Sequence, residues 1–583
     1  MTAPQPTSNH TYDRRSGRTR AQVEIEGATK QAVETGHARL LAVSAVFVLC
    51  FVVLAGRLVH LTVLREGPGA AAIAQAVTSA DSYRADIVDR NGLLLATNVR
   101  SASLYAEPRI MMNQDEAVAK LATVFPDVDK KELLLRLHSD KSFTWVRRHI
   151  TPKQQAAVNA LGIPGVGFLD ETRRIYPQGK AAAHVLGYVG IDNEGLAGVE
   201  KAFDAQLRGP AAARAKQSLQ LSIDLRVQHI LRDEMARAVT TFRAIGGAGI
   251  VYDVHTGEII AMASLPDFDS NAPGEATPEQ LFNRVTLGVY EMGSTFKAFT
   301  IASALHYGTS GMEDSFDATD PIRVGRFQIR DDHAKSRWLT LPEIFMYSSN
   351  IGAARIAMEV GTERQRLFLQ RLGLLSKPEI ELPEVGTPMV PTPWREINTM
   401  TIAFGHGVAV SPLQTAAGFA PLINGGVRVP STLIKRPAGE VVLGERVVSP
   451  QTADNMRRLM RLVVEEGTGK QAAVKGFLVG GKTGTAEKAT AGGYARKSLL
   501  SSFVAAFPMT DPRYLVIAIL DEPKGTKATY NFATGGWTAA PVTSRVIARA
   551  APLLGVMPVD EESGDVLKAM LISSRKGRSG AAF

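Results

Sequence analysis

From Leu40 to Gly56 the chain reads LLAVSAVFVLCFVVLAG, seventeen residues without a charge between Arg39 and Arg57. A helix of that length is at the lower limit for crossing a bilayer. The apolar character resumes at Leu58, Val59 and Leu61, and Arg57 can snorkel to the interface, so one crossing over residues 40–61 is expected. The tail before it carries Arg14, Arg15, Arg18, Arg20, Lys30 and Arg39, whereas residues 57–80 hold only Arg57 and Arg65. That asymmetry predicts a cytoplasmic tail over residues 1–39 and export of the chain beyond the helix. A cleaved signal peptide competes, because Val53 and Ala55 occupy the small-residue positions a signal peptidase reads. The long tail ahead of the run favours the uncleaved anchor. No second run of comparable length occurs, so the recognisable chemistry is expected outside the cytoplasm.

The chain has 583 residues, 45% apolar and 21% charged, enough for two or three folded units. Its net charge of +9 is spread along the whole length rather than gathered into a basic arm, which argues against a nucleic-acid partner. Cys50 is the single cysteine, which excludes an intrachain disulfide and any cysteine-ligated metal centre. The 11 histidines show no metal-binding spacing. Asp331-Asp332-His333 are adjacent and cannot all face one ion in regular structure, so a solvated loop is expected there. Neither metal nor cofactor is expected.

Residues 67–217 mix short strands with helical patches and turn signals, notably Arg90-Asn91-Gly92 and Pro177-Gln178-Gly179, and hold no cluster of nucleophile, base and acid. Gly209, Pro210 and an alanine-rich connector then mark a boundary. Beyond Leu219, Val251–Leu265 reads as two strands around Val254-His255-Thr256-Gly257, and Leu499–Leu520 as two more around residues 508–512. Between them, residues 294–306, 341–359 and 453–465 have helical period. Strands at both ends with helices between predict an α+β unit with one antiparallel sheet covered by helices. Residues 558–583, with Arg575, Lys576 and Arg578, read as a disordered or interaction tail.

Within that unit, Ser294 and Lys297 stand three apart at the start of an apolar helical run, on one face of the helix. A serine hydroxyl needs a base, and a lysine can be that base if burial lowers its pKa. The pattern alone is weak, since Ser573-Ser574-Arg575-Lys576 repeats it in a polar setting. Ser348-Ser349-Asn350 offers a hydroxyl to relay protons and an amide to orient a peptide, though by itself it also suits a turn or cap. Lys482-Thr483-Gly484-Thr485 reads as an edge strand whose glycine removes a side chain that would block a ligand, and whose lysine and hydroxyls suit a carboxylate.

Taken together, Ser-x-x-Lys, Ser-x-Asn and Lys-Thr-Gly occur in the order shared by penicillin-binding proteins and serine β-lactamases. The chain resembles class B penicillin-binding proteins, in particular the division-specific FtsI-like D,D-transpeptidases. Arg84-Ala85-Asp86-Ile87-Val88-Asp89-Arg90-Asn91-Gly92 is similar to the family's signature at the start of its pedestal, as are Arg174-Ile175-Tyr176-Pro177, Gly198-Val199-Glu200 and Phe203-Asp204 to later ones. Tyr290-Glu291-Met292-Gly293 precedes the serine as in FtsI-like chains, with Met292 where many relatives carry proline. Asn350, rather than aspartate, favours the division type over the elongation type.

The resemblance implies an extended α/β pedestal (dimerisation-type) over residues 67–217, a transpeptidase domain over 218–557, and cross-linking of peptidoglycan stem peptides in septal cell-wall synthesis. It implies Ser294 as nucleophile, Lys297 as base, Ser348 as proton relay, Asn350 holding the donor amide, and Lys482, Thr483, Gly484 and Thr485 binding the donor. The backbone N–H groups of Ser294 and Thr485 would form the oxyanion hole. Implied partners are D-Ala-D-Ala donors, β-lactams as covalent inhibitors, an FtsW-like glycosyltransferase, other divisome proteins and the inner membrane. Two other classes compete. A non-catalytic scaffold or sensor could lose either motif lysine, and this chain keeps both. Gly476–Thr483 also satisfies a P-loop pattern, but bulky Phe477-Leu478-Val479 fills the loop, and Gly484, Gly492 and Gly493 would break the helix that a P-loop requires after its lysine. His406, in Phe404-Gly405-His406-Gly407, is expected to be structural.

Overall fold

The computed structural model describes residues 10–11, 20–21, 28–60, 84–209, 217–325, 327–490 and 493–570. Most of the basic tail, the connector at 210–216, and the second Ser-x-x-Lys lie outside them. Helix α1 (Ala28–Val59) contains a 25-residue candidate span, Thr35–Val59, whose most apolar window has mean hydropathy 2.6 and is not buried at all. At about 1.5 Å per residue it exceeds the roughly 30 Å of a bilayer's hydrocarbon. The helix continues past Arg57, as expected, but begins before residue 40.

The described chain divides into two compact units: residues 1–78, 104–148 and 153–169, and residues 79–103, 149–152 and 170–583. The contacts therefore divide the stretch 67–217 itself, and group its C-terminal end with the residues beyond it. Strand β1 (Ile87–Val88) pairs antiparallel with β2 (Leu94–Ala106) and parallel with β3 (Leu219–Gln220). In the first unit, helices α2 (Gln114–Val124) and α3 (Lys130–Leu137) are capped by Asn113 and Asp129, whose side chains accept from backbone N–H groups of the first turn. Leu121, Phe125, Leu133 and Leu137 are buried there.

In the second unit, the motifs resembling the pedestal signatures meet in one buried cluster. Arg84 donates to Glu200, to Asp204 at 2.6 Å and to the Asn193 carbonyl at 3.1 Å, while Arg174 donates to Glu200 at 2.7 Å. Burial opposes the charge on Asp204, yet the Arg84 guanidinium and the Gly195 N–H hold its carboxyl below the usual range. Asp89 accepts from Asn91 N and Leu93 N, closing the turn in which Gly92 takes φ +86°, and from Leu225 N at 3.1 Å. It thereby holds the first turn of α4 (Leu225–Thr241).

The five-stranded sheet runs β5 (Ile259–Leu265), β4 (Gly246–Asp253), β8 (Tyr514–Asp521), β7 (Gly493–Phe507) and β6 (Gly480–Thr490), with every neighbouring pair antiparallel. Met262, Ile250, Ile517, Val504 and Lys482 form one row across it, and Ala261, Val251, Val516, Ala505 and Gly481 the next. Side chains alternate between faces, so adjacent rows point to opposite sides. The apolar residues of the first row join the core containing Phe296, Ala298 and Phe299, and those of the second join Leu231 and Met235 of α4 and Val546 and Ile547 of α8 (Ala540–Ala550). Helices on both sides explain why β4 and β8 are apolar at consecutive positions, each large buried side chain contributing about 1.5–3 kcal/mol. Lys482 is the polar end of an otherwise apolar row.

Candidate active site

The first row's edge meets the residues singled out in the sequence. Gly293–Phe296 forms a 3₁₀ turn that leads into α5 (Lys297–Tyr307). Gly293 takes φ +53°, and a side chain there would strike the Thr485 carbonyl. Ser294 is half-buried, whereas Lys297 is fully buried.

The helical period over 341–359 conceals a break. Helix α6 (Leu341–Tyr347) ends at Ser348, whose φ of +61° is left-handed, and Ser349 caps α7 (Asn350–Val360) by accepting from Gly352 N at 3.0 Å. Left-handed backbone is unfavourable for a residue with a Cβ. Here it turns both oxygens of Ser348 toward the lysine. Lys297 Nζ lies 2.9 Å from Ser294 Oγ, 2.7 Å from the Ser348 carbonyl, 3.1 Å from Ser348 Oγ and 2.6 Å from Asn350 Oδ1. Lys482 Nζ donates to Ser348 Oγ at 2.9 Å, placing that hydroxyl between the two lysines.

Two sequence expectations gain detail. Asp332 and His333 lie exposed in a turn, as expected, but the half-buried Asp331 turns inward: it accepts from Ser349 Oγ at 2.7 Å, Asn350 N at 2.6 Å and Ile351 N at 3.0 Å, fixing the start of α7. Asn350 Nδ2 in turn donates to the Arg330 carbonyl at 2.8 Å, which sets the amide so that its oxygen faces Lys297. Gly484, expected to clear room for a ligand, also clears room for the protein itself. A side chain there would come within 2.7 Å of the Met292 carbonyl and 2.8 Å of Thr295 Cγ2. The missing Cβ lets the edge strand close on the turn that carries Ser294.

Thr483 Oγ1 lies 3.3 Å from Lys482 Nζ and shares a hydrogen bond with Thr468 Oγ1 at 2.8 Å, and Thr485 Oγ1 accepts from Gly535 N at 3.1 Å. Nothing near Thr468 or Gly535 in sequence marks them, because each acts through a segment distant along the chain. Lys482 lies mid-strand, so the helix N-terminus that a P-loop needs does not begin there. His406 packs edge-on against Phe404, and Gly405, at φ +82°, lies against Gly293. Gly407 N donates to Glu291 Oε1 at 2.8 Å, so this loop supports the turn that carries Ser294.

Burial dominates the electrostatics. It lowers Lys297 to about 7, opposed by the charges of Asp331 and Asp332. Burial, and then the Lys297 charge, push Lys482 well below the ordinary lysine range. Burial also lowers His406 to about 4, with Lys297 adding to the effect and Asp332 opposing it. A neutral lysine amine has two N–H bonds and one lone pair. The Ser348 carbonyl and Asn350 Oδ1 can only accept, so they take the two N–H bonds and leave the lone pair for the Ser294 hydroxyl.

A serine, two buried lysines and an edge strand on a helix-covered antiparallel sheet define a class that comparison with known families names. The penicillin-binding protein transpeptidase domain matches residues 247–548, and the penicillin-binding protein dimerisation domain matches residues 79–218. The chain belongs to the class B penicillin-binding proteins. It is 42% identical over 528 residues, 89% of each chain, to the probable peptidoglycan D,D-transpeptidase FtsI of Caulobacter vibrioides. It is also 28% identical over 84% of its length, and 87% of the relative's, to peptidoglycan D,D-transpeptidase FtsI of Escherichia coli K12. Among solved structures, penicillin-binding protein 3 of Mycobacterium tuberculosis, complexed with aztreonam, shares the fold with TM-score 0.65 at 23% identity, over 82% of this chain and 98% of that one.

Proposed function

We propose that this protein is a serine D,D-transpeptidase that cross-links peptidoglycan through an acyl-enzyme on Ser294, in septal wall synthesis during division. The observation that carries the reading is the unbroken chain of contacts from Ser294 Oγ through Lys297 Nζ and Ser348 Oγ to Lys482 Nζ. The Ser294 proton moves to the Lys297 lone pair as Oγ bonds to the carbonyl carbon of the penultimate D-alanine. The bond to the terminal D-alanine then breaks, and its nitrogen receives a proton through Ser348. The N–H groups of Ser294 and Thr485 stabilise the oxyanion, aided by the positive end of α5. Asn350 fixes Lys297 and holds the donor amide, while Lys482, Thr483 and Thr485 receive the terminal carboxylate. The amine of a neighbouring stem attacks the ester, forms the cross-link and releases Ser294.

Hydrolysis would need a carboxylate poised to activate water, a motif the sequence does not offer, so β-lactams are expected to form lasting adducts. Helix α1 anchors the protein in the inner membrane with its N-terminus cytoplasmic, and an FtsW-like glycosyltransferase and other divisome proteins are its partners. The test is acylation of the full-length protein by a fluorescent penicillin. The wild type should carry a stable adduct that Ser294→Ala abolishes; rapid turnover, or an adduct that survives Ser294→Ala, would sink the mechanism. Depletion in cells should give filaments, whereas round cells would assign the enzyme to elongation.

A further inference from the structure

The loop after β8 carries an aromatic surface that the chemistry above leaves unused. Tyr530 is 74% exposed and Phe532 48% exposed, although both lie in a tightly bonded segment. Phe532 stacks with Trp537 at 6.0 Å between centroids and 16° between planes, and Tyr530 meets Trp537 edge-on at 5.6 Å. The loop is built to hold them. Thr526 and Thr529 form a capping box, Asn531 N donates to Thr526 O at 2.8 Å, and Thr529 Oγ1 donates to Phe532 O at 2.8 Å. Tyr530 and Asn531 take successive left-handed conformations, φ +51° and +66°. Backbone of that kind persists only where surrounding structure over-determines it, and it collects at ligand clamps.

The same loop is fixed to the catalytic strand. Gly535 N donates to Thr485 Oγ1 at 3.1 Å, and Ser501 Oγ donates to the Ala533 carbonyl. Trp537 follows Gly535 by two Cα steps, at most about 8 Å. The parallel Phe532 and Trp537 rings, with Tyr530 edge-on and Asn531 exposed beside them, present apolar ring surface with a polar edge. A pyranose ring has the matching form: a face of C–H bonds rimmed by hydroxyl and acetamido groups. A stem of four or five extended residues keeps its sugar within about 18 Å of the reacting carbonyl, so a glycan lies within reach of this loop whenever a stem is engaged.

We infer that Tyr530, Phe532 and Trp537 form a platform on which sugar rings of the peptidoglycan glycan stack, positioning polymeric substrate beside Ser294. The inference rests on the transpeptidase reading, and the test separates the two. Full-length protein in detergent, wild type and Tyr530→Ala/Phe532→Ala, is titrated with soluble peptide-free glycan strands and separately acylated with a fluorescent penicillin. Glycan binding should weaken by about tenfold or more in the double variant and persist in Tyr530→Phe, while acylation stays within about twofold of wild type. Equal glycan binding by the double variant, or none by the wild type, overturns the platform. So does joint loss of binding and acylation, which would make the loop a structural support of Thr485. A wild type that binds glycan but forms no penicillin adduct retains the platform and defeats the transpeptidase chemistry.

Discussion

Two buried clusters of cationic side chains in the second unit are handled in opposite ways. At the pedestal root, Arg84 and Arg174 are bonded to Glu200, with Asp204 completing the set, and the Arg84 and Glu200 side chains have no exposed surface. At the candidate active site, Lys297 and Lys482 are equally buried, but the oxygens bonded to them are uncharged: serine and threonine hydroxyls, backbone carbonyls and one amide. Arginine cannot lose its proton at any pH a protein meets, so its burial requires a carboxylate. Lysine can, so burial among neutral acceptors yields a free amine. Burial therefore gives a fixed ion pair in one cluster and a free amine in the other, and the counter-ion decides which.

The comparison breaks most visibly if the two cations are interchanged. Lys297→Arg places a permanent charge where a lone pair is needed, and acylation by penicillin should slow on the order of 10⁴-fold, the upper range for loss of a general base. A rate near wild type would show that Lys297 is not the base. At the root, Glu200→Gln leaves two buried guanidiniums without their shared carboxylate. Denaturant unfolding should report a loss of about 3–5 kcal/mol, with the acylation rate of the folded fraction within about twofold of wild type. An undiminished stability would mean that the root cluster is not a compensated joint.

The pH dependence sharpens the contrast further. Acylation should rise with pH through about 7, as Lys297 loses its proton, and then level off. The linkage has a definite sign: the native lysine titrates near 7 and the unfolded one near its ordinary 10.5, so over that window the native state binds fewer protons. Stability therefore rises with pH across it, Lys482 contributing in the same direction. A flat acylation profile from pH 5 to 9 would contradict a neutral-lysine base.

The sequence discloses the sheet readily, because the strand pairs around residues 254–257 and 508–512 are local hairpins with their own turn signals. It discloses Ser294 and Lys297 because one helical turn relates them. The helical period runs straight through the break at Ser348-Ser349, and only the turn-or-cap reading of that motif points to it; the structure makes the two serines a left-handed C-cap and an N-cap in tandem, which leave the apolar period on either side undisturbed. Gly484 is visible as a glycine but not as one facing Met292 and Thr295, because what a missing side chain avoids depends on a segment nearly two hundred residues away. The root cluster is similar: Arg84, Arg174, Glu200 and Asp204 stand out as motifs, but only the fold shows that they are partners.

Asp331 is where the two strategies meet, a carboxylate close enough to act on a buried lysine without bonding to it. It accepts three hydrogen bonds at the start of α7 and raises the pKa of Lys297 from a distance. Two variants separate these roles. Asp331→Ala removes the acceptor oxygens and should cost about 1 kcal/mol of stability and lower the plateau of the acylation profile through misplacement of Asn350. Asp331→Asn keeps one acceptor oxygen but loses the charge and should mainly move the inflection to lower pH, because the ammonium of Lys297 then has less to favour it. A lowered plateau with an unmoved inflection would leave Asp331 as a cap alone, and would mean that the base owes its pKa to burial without a nearby charge holding it up.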